Sequence, residues 1–154
     1  MPRFLRRARG QFRQPSPYLL PLLLLLLPCL ARAQQKAEVL VIGLDYAFQV
    51  PATLSPGPTI FDFENRGKVP HEVIILRVKP GVTLDSVLHA DRLAQRALTE
   101  VIGILIAEPG RRALGRLLVD LTDRRTYLAL CGFRDAPDQP QHFTMGMVAP
   151  IQVR

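Results

Sequence analysis

Residues 59–65, Thr-Ile-Phe-Asp-Phe-Glu-Asn, alternate with a period of two. Ile60, Asp62 and Glu64 fall on one side of an extended chain, and Thr59, Phe61 and Phe63 on the other. That pattern predicts a half-buried strand with its aromatic face inward. A strand with one apolar face needs a second layer to cover it, so the chain is committed to a packed sheet. The surrounding texture agrees. Pro51 and the Ser55-Pro-Gly-Pro58 cluster force a turn before this strand, and Arg66-Gly67-Lys68 forms one after it.

Short strands are expected at 37–42, at 71–78 with its Val-Ile-Ile-Leu centre, at 101–107, at 114–121 and at 125–131. A last strand is expected over 143–153. Pro80-Gly81 interrupts the series, and residues 83–97 read as a helix. Leu84, Val87, Leu88, Leu93, Ala94 and Leu98 approximate its spacing, and Asp85 stands in the first turn. Residues 132–141 form a loop carrying Pro137 and Pro140. Six to eight strands with near-regular turns indicate an antiparallel sandwich or small barrel with one inserted helix.

The first 33 residues have a different character. Five arginines between Arg3 and Arg13 precede an apolar run of about a dozen residues, and Ala31-Arg32-Ala33 is a small-x-small site. This is the order of a secretory signal peptide, with cleavage expected after Ala33. The run is shorter than the roughly 20 residues a membrane-spanning helix requires, so a membrane is expected as a partner only if the segment stays uncleaved as an anchor. Six of the 20 basic residues lie in this segment and no acidic ones do, so the formal charge of +7 falls to about +1 over 34–154. No basic stripe with interleaved aromatics remains, so nucleic acid is not expected as a partner.

Cleavage also removes Cys29 and leaves Cys131 as the only thiol of an exported domain. A single cysteine cannot form an internal disulfide. It lies near His142 and Met147, with His71 about sixty residues upstream. Two imidazoles, one thiolate and a thioether are the ligand set of a mononuclear blue-copper electron-transfer site. Met145 competes with Met147 for the axial place. His89 falls within the expected helix and reads as a surface histidine. No Ser-His-Asp set, paired-carboxylate cleft or phosphate loop is present, which leaves hydrolase chemistry without support. Multicopper oxidase or reductase chemistry would need more histidines than the three available.

Phe61-x-Phe63-x-Asn65-x-Gly67-x-x-Pro70-His71, followed by Tyr127-x-x-x-Cys131, His142 and Gly146-Met147, resembles the cupredoxins, above all plastocyanin, halocyanin and small exported bacterial domains. The likeness covers the chain from about Lys36 to Val153. It implies an all-β Greek-key sandwich over 34–154, with one copper ion held at one end by His71, Cys131, His142 and Met147. It also implies that Asn65 and Pro70 shape the loop delivering His71. The spacing to His142 and the preceding Gly146 favour Met147 over Met145. Two departures from the family pattern stand out. Ten residues separate Cys131 from His142, a long ligand loop, and Glu72 stands where many members carry an asparagine that ties the two ligand loops. The expected function is a monomeric one-electron carrier serving a redox partner protein in the periplasm or outside the cell. Copper delivery and a metal-free interaction module are the alternatives. The five arginines Arg111, Arg112, Arg116, Arg124 and Arg125 would be either solvated charges or a docking patch.

Overall fold

A computed structural model describes residues 36–122 and 124–154; the expected signal segment lies outside the described residues. Among the described residues nine strands form two sheets. The first has the order β2(Ala47–Gln49), β1(Ala37–Leu44), β4(Gly57–Asn65), β7(Leu117–Leu121). The second has the order β3(Thr53–Leu54), β9(Val148–Val153), β8(Thr126–Leu130), β5(His71–Val78), β6(Thr99–Ala107). The sheets are mixed and not purely antiparallel, because β1 runs parallel to β4 and β3 parallel to β9. The segment between β1 and β4 crosses to the other sheet, where β3 pairs with β9, and returns. That excursion supplies the crossover a parallel neighbour requires.

The alternation over 59–65 is realised as expected: Thr59, Phe61, Phe63 and Asn65 are buried while Ile60, Asp62 and Glu64 are half-buried. Phe61 and Phe63 pack with Val39 and Val41 of the same sheet against Val73, Ile75, Tyr127, Ala129 and Ile151 of the other. The buried Tyr127 hydroxyl accepts the Thr122 N–H at 3.1 Å, so its polar end is satisfied at the sandwich edge. Strand β5 has no polar alternation because both its faces are covered. Its outward residues Leu76 and Val78 pack with Leu128, Leu130 and Val87 beneath the helical segment.

That helical segment corrects the expectation of one helix over 83–97. It contains α1(Leu84–Leu88) and α2(Arg92–Leu98), separated at Asp91. The Asp91 carboxylate accepts from the N–H groups of Leu93 and Ala94, which caps a new helix in place of continuing the old one. Leu93 consequently faces solvent at 79% exposure, off the apolar stripe assumed for a single helix. The expected closing strand over 143–153 is likewise divided, into a 3-10 turn His142–Met145 and β9.

The register fixes what meets at one end of the sandwich. Strands β5 and β8 are antiparallel with Ile74 opposite Leu130, so the start of β5 lies beside the end of β8. Strand β9 begins opposite that same end, with Val148 paired to Leu130. In the first sheet Gly43 stands opposite Asn65, which brings the β1–β2 turn and the 66–70 turn together.

Candidate metal centre

His71 opens β5, Cys131 follows β8, and His142 begins the 3-10 turn that leads to Met147 and β9. All four side chains are essentially withdrawn from solvent. The two Nδ1 atoms stand 3.2 Å apart. Cys131 Sγ is 3.5 Å from His142 Nδ1 and 4.0 Å from His71 Nδ1. Three soft or nitrogenous donors thus converge, their ligand atoms all within 4.8 Å of one another. A first-row ion bonds nitrogen at about 2.0–2.1 Å and thiolate sulfur at about 2.3 Å. Each separation is smaller than the sum of the two bonds it would bridge, so one ion fits between the three donors.

The backbone holds this arrangement. Cys131 N–H donates to Met147 O at 3.1 Å, and Met147 N–H donates to His142 O at 3.0 Å. Phe143 N–H returns to Cys131 O at 2.9 Å. Gly146 closes the 3-10 turn at φ 112°, a left-handed conformation suited to glycine, and a Cβ there would meet Tyr46 O at 3.3 Å. Met145 on the same turn is 38% exposed, whereas Met147 is fully buried.

Asn65 organises the His71 loop. Its side-chain amide donates to the carbonyls of Val69 and Ala107, both at 2.9 Å, and its Oδ1 accepts the Gly67 N–H at 2.9 Å. Pro70 is exposed and leads directly into β5. Glu72 supplies the tie between ligand segments, for its Oε1 accepts the Gly132 N–H at 3.0 Å. Burial pushes the Glu72 carboxyl up, against the lowering effect of that hydrogen bond.

Electrostatics favour neutral imidazole. Burial, then the neighbouring His142, hold His71 below the usual histidine range, while Asp45 acts in the opposite direction. Burial raises the Cys131 thiol, partly offset by hydrogen bonds from the backbone N–H groups of Glu72 and Phe133. Those two donors stabilise the thiolate that a metal would require. Among the described residues His71 Nε2 has no hydrogen-bond partner, and Asp45 Oδ1 is 3.7 Å away.

Three residues around the site carry no sequence signal. Asp45 accepts the Lys68 N–H at 2.7 Å and so braces the 66–70 turn. Asp135 Oδ1 lies 3.0 Å from His142 Nε2, and Tyr46 donates its hydroxyl to Asp135 Oδ2 at 2.5 Å. Tyr46 and Asp135 are 89 positions apart, which no local pattern connects. His89 lies away from the centre, its ring beside Asp85 and 78% exposed. Arg112 pairs with Asp62 and Glu64, and Arg116 with Glu38, so part of the arginine set is already matched by acids.

No family model and no curated protein matches the sequence. Solved structures do. Dithionite-reduced auracyanin from Roseiflexus castenholzii matches with TM-score 0.52 at 15% identity, over 77% of this chain and 98% of that one. Auracyanin A from Chloroflexus aurantiacus, a "blue" copper protein, matches with TM-score 0.50 at 19% identity, over 78% and 100%. At such identities the likeness is one of fold, and it spans the described sandwich. The chain has the cupredoxin fold, with two histidines and a cysteine gathered where β5, β8 and β9 meet.

Proposed function

We propose that the protein is an exported mononuclear blue-copper carrier of single electrons, with no substrate to transform. The observation that carries this reading is the convergence of Cys131 Sγ with His71 Nδ1 and His142 Nδ1 in a buried pocket. His71, Cys131 and His142 would hold the ion, with Met147 as a weak fourth ligand. Bound copper would supply a one-electron couple, since thiolate and thioether favour Cu(I) while imidazole also accepts Cu(II).

The chain's own contribution is a rigid, dry cage. The hydrogen bonds linking Cys131, His142 and Met147 keep three donors in fixed relation, and Asn65 does the same for the His71 loop. A site whose donors do not rearrange between oxidation states suits electron transfer. Delivery of copper as cargo would call for exposed, exchangeable ligands, and burial of all four argues against it. The signal-like segment supports export to the periplasm or beyond, where a redox protein would be the partner. Among the described residues no helix is long and apolar enough to cross a membrane.

A Cu(II) titration of residues 34–154, followed by visible absorption beside Cys131→Ala, tests the reading. An intense thiolate-to-copper band at one equivalent, absent from the variant, is the expected result. Pale or weak binding in both proteins would overturn it.

A further inference from the structure

The imidazole of His142 is enclosed from outside by two residues from distant parts of the chain. Its Nε2 faces Asp135 Oδ1 at 3.0 Å, and the edge-on Tyr46 ring lies 5.2 Å away at an interplanar angle of 81°. Asp135 is engaged at both oxygens, because Tyr46 donates to Oδ2 at 2.5 Å. His142 is left 1% exposed.

Two features set this apart from an incidental surface contact. First, residues 132–141 fold back on themselves to place Asp135 over the ring. Gln141 Nε2 donates to Gly132 O at 2.9 Å, and His142 N–H donates to Phe133 O at 2.9 Å. The unusual length of this loop is thereby accounted for. Second, Tyr46 occupies a two-residue hairpin turn, between Leu44 and its partner Ala47, at φ 61°. Such turns favour glycine or asparagine where φ is positive. A tyrosine there is locally costly, and its hydroxyl is spent on Asp135.

We infer that Asp135, held in place by Tyr46, is the positioning residue of His142. It accepts a hydrogen bond from the Nε2–H and so leaves the Nδ1 lone pair facing the space between His71 Nδ1 and Cys131 Sγ. Partners of this kind fix the tautomer and ring orientation of a metal-binding histidine and raise its basicity. The redox consequence rests on the copper reading above. The carboxylate's charge favours Cu(II) over Cu(I), and the Tyr46 hydroxyl tempers that charge.

The metal-free protein gives the first test, by nitrogen-15 NMR of the His142 ring. The expected result is a single Nε2–H tautomer in the wild type and in Asp135→Asn, whose amide oxygen still accepts. Asp135→Ala should give mixed tautomers. An unchanged His142 tautomer in Asp135→Ala overturns the inference. The copper-loaded protein gives the second. Asp135→Asn should weaken Cu(II) relative to Cu(I) binding by about tenfold or more. Tenfold corresponds to a rise of about 59 mV in a one-electron potential. Tyr46→Phe should move the potential the other way. Shifts of the same sign in both variants, or none in either, overturn the electrostatic assignment. Loss of the copper band in the wild type, with the tautomer change intact in the metal-free protein, would sink the copper reading and leave the positioning role standing.

Discussion

Gly67 stands against the outer edge of His71: a Cβ built on Gly67 would lie 2.8 Å from His71 Nε2 and would also press on Asp45. Asp45 is partly exposed and can give way. The His71 ring cannot do so easily, because its other edge faces Cys131 and His142. Gly67→Ala should therefore tilt the ring, lower stability by about 1–3 kcal/mol through overpacking and weaken metal binding by about tenfold or more. Thermal melts with and without added copper separate the two effects. An unchanged metal-dependent shift would show that the glycine is not needed for ring placement.

Asn65 makes three hydrogen bonds from a fully buried side chain. Asn65→Ala strands the Ala107 and Val69 carbonyls and frees the Gly67 N–H. The Ala107 carbonyl is the buried one and contributes about 1–3 kcal/mol, and the two part-buried bonds about 0.5–1.5 kcal/mol each, so the expected loss is about 2–6 kcal/mol. Urea denaturation measures it, and hydrogen exchange should rise first at residues 66–71.

The two methionines of the ligand segment should separate cleanly. Met147 is fully buried and bonded through its backbone to Cys131 and His142, while Met145 is 38% exposed. Met147→Leu nearly conserves volume and should cost under about 1.5 kcal/mol, yet alter the visible spectrum and raise the reduction potential. Met145→Leu should leave both unchanged. The reverse pattern would transfer the axial role to Met145.

Away from the site, Glu64 is held below its ordinary value of 4.5, first by the hydrogen bond from Arg66 and then by Arg112. Arg66 Nε donates at 2.5 Å and Arg112 Nη2 at 3.1 Å. The folded state then binds fewer protons than the unfolded state below that value, so stability rises with pH across this window. The contribution is complete above about pH 4.5 and is lost as pH falls through the folded value. Glu64→Gln should flatten the acid limb of a stability-versus-pH curve while leaving its neutral part nearly level. An acid limb as steep as that of the wild type would remove Glu64 from the account.

Local pattern made much of this molecule legible. The alternation at Phe61 and Phe63 places β4 and its buried face, and the chemistry of His71, Cys131 and His142 marks three donors that do converge. Glu72 stood out as a departure from the asparagine that ties the ligand loops in the resembled family; it makes a tie of its own, by accepting from the Gly132 N–H. What escaped reading depends on three-dimensional return. The parallel pairing of β1 with β4 follows from an excursion across the sandwich. Asp91 ends one helix and starts another through a side-chain cap that periodicity does not register. Tyr46 and Asp135 acquire their relation to His142 only once the β1–β2 turn and the 132–141 loop meet at one end. Sequence spacing reports which residues can share an element, and it is silent on which loops share a space.

Strand order also sets a timetable for assembly. In the second sheet β9 and β8 lie inside, between β3 and β5, although they are the last strands in the chain. A chain cut before Thr126 would leave the β8-facing edge of β5 bare, with Val73 and Ile75 uncovered by Tyr127 and Ala129. Completion of the sheet and delivery of Cys131, His142 and Met147 to His71 then depend on the same segment. A chain synthesised from its N-terminus must keep that edge from pairing wrongly until residues 126–153 have emerged.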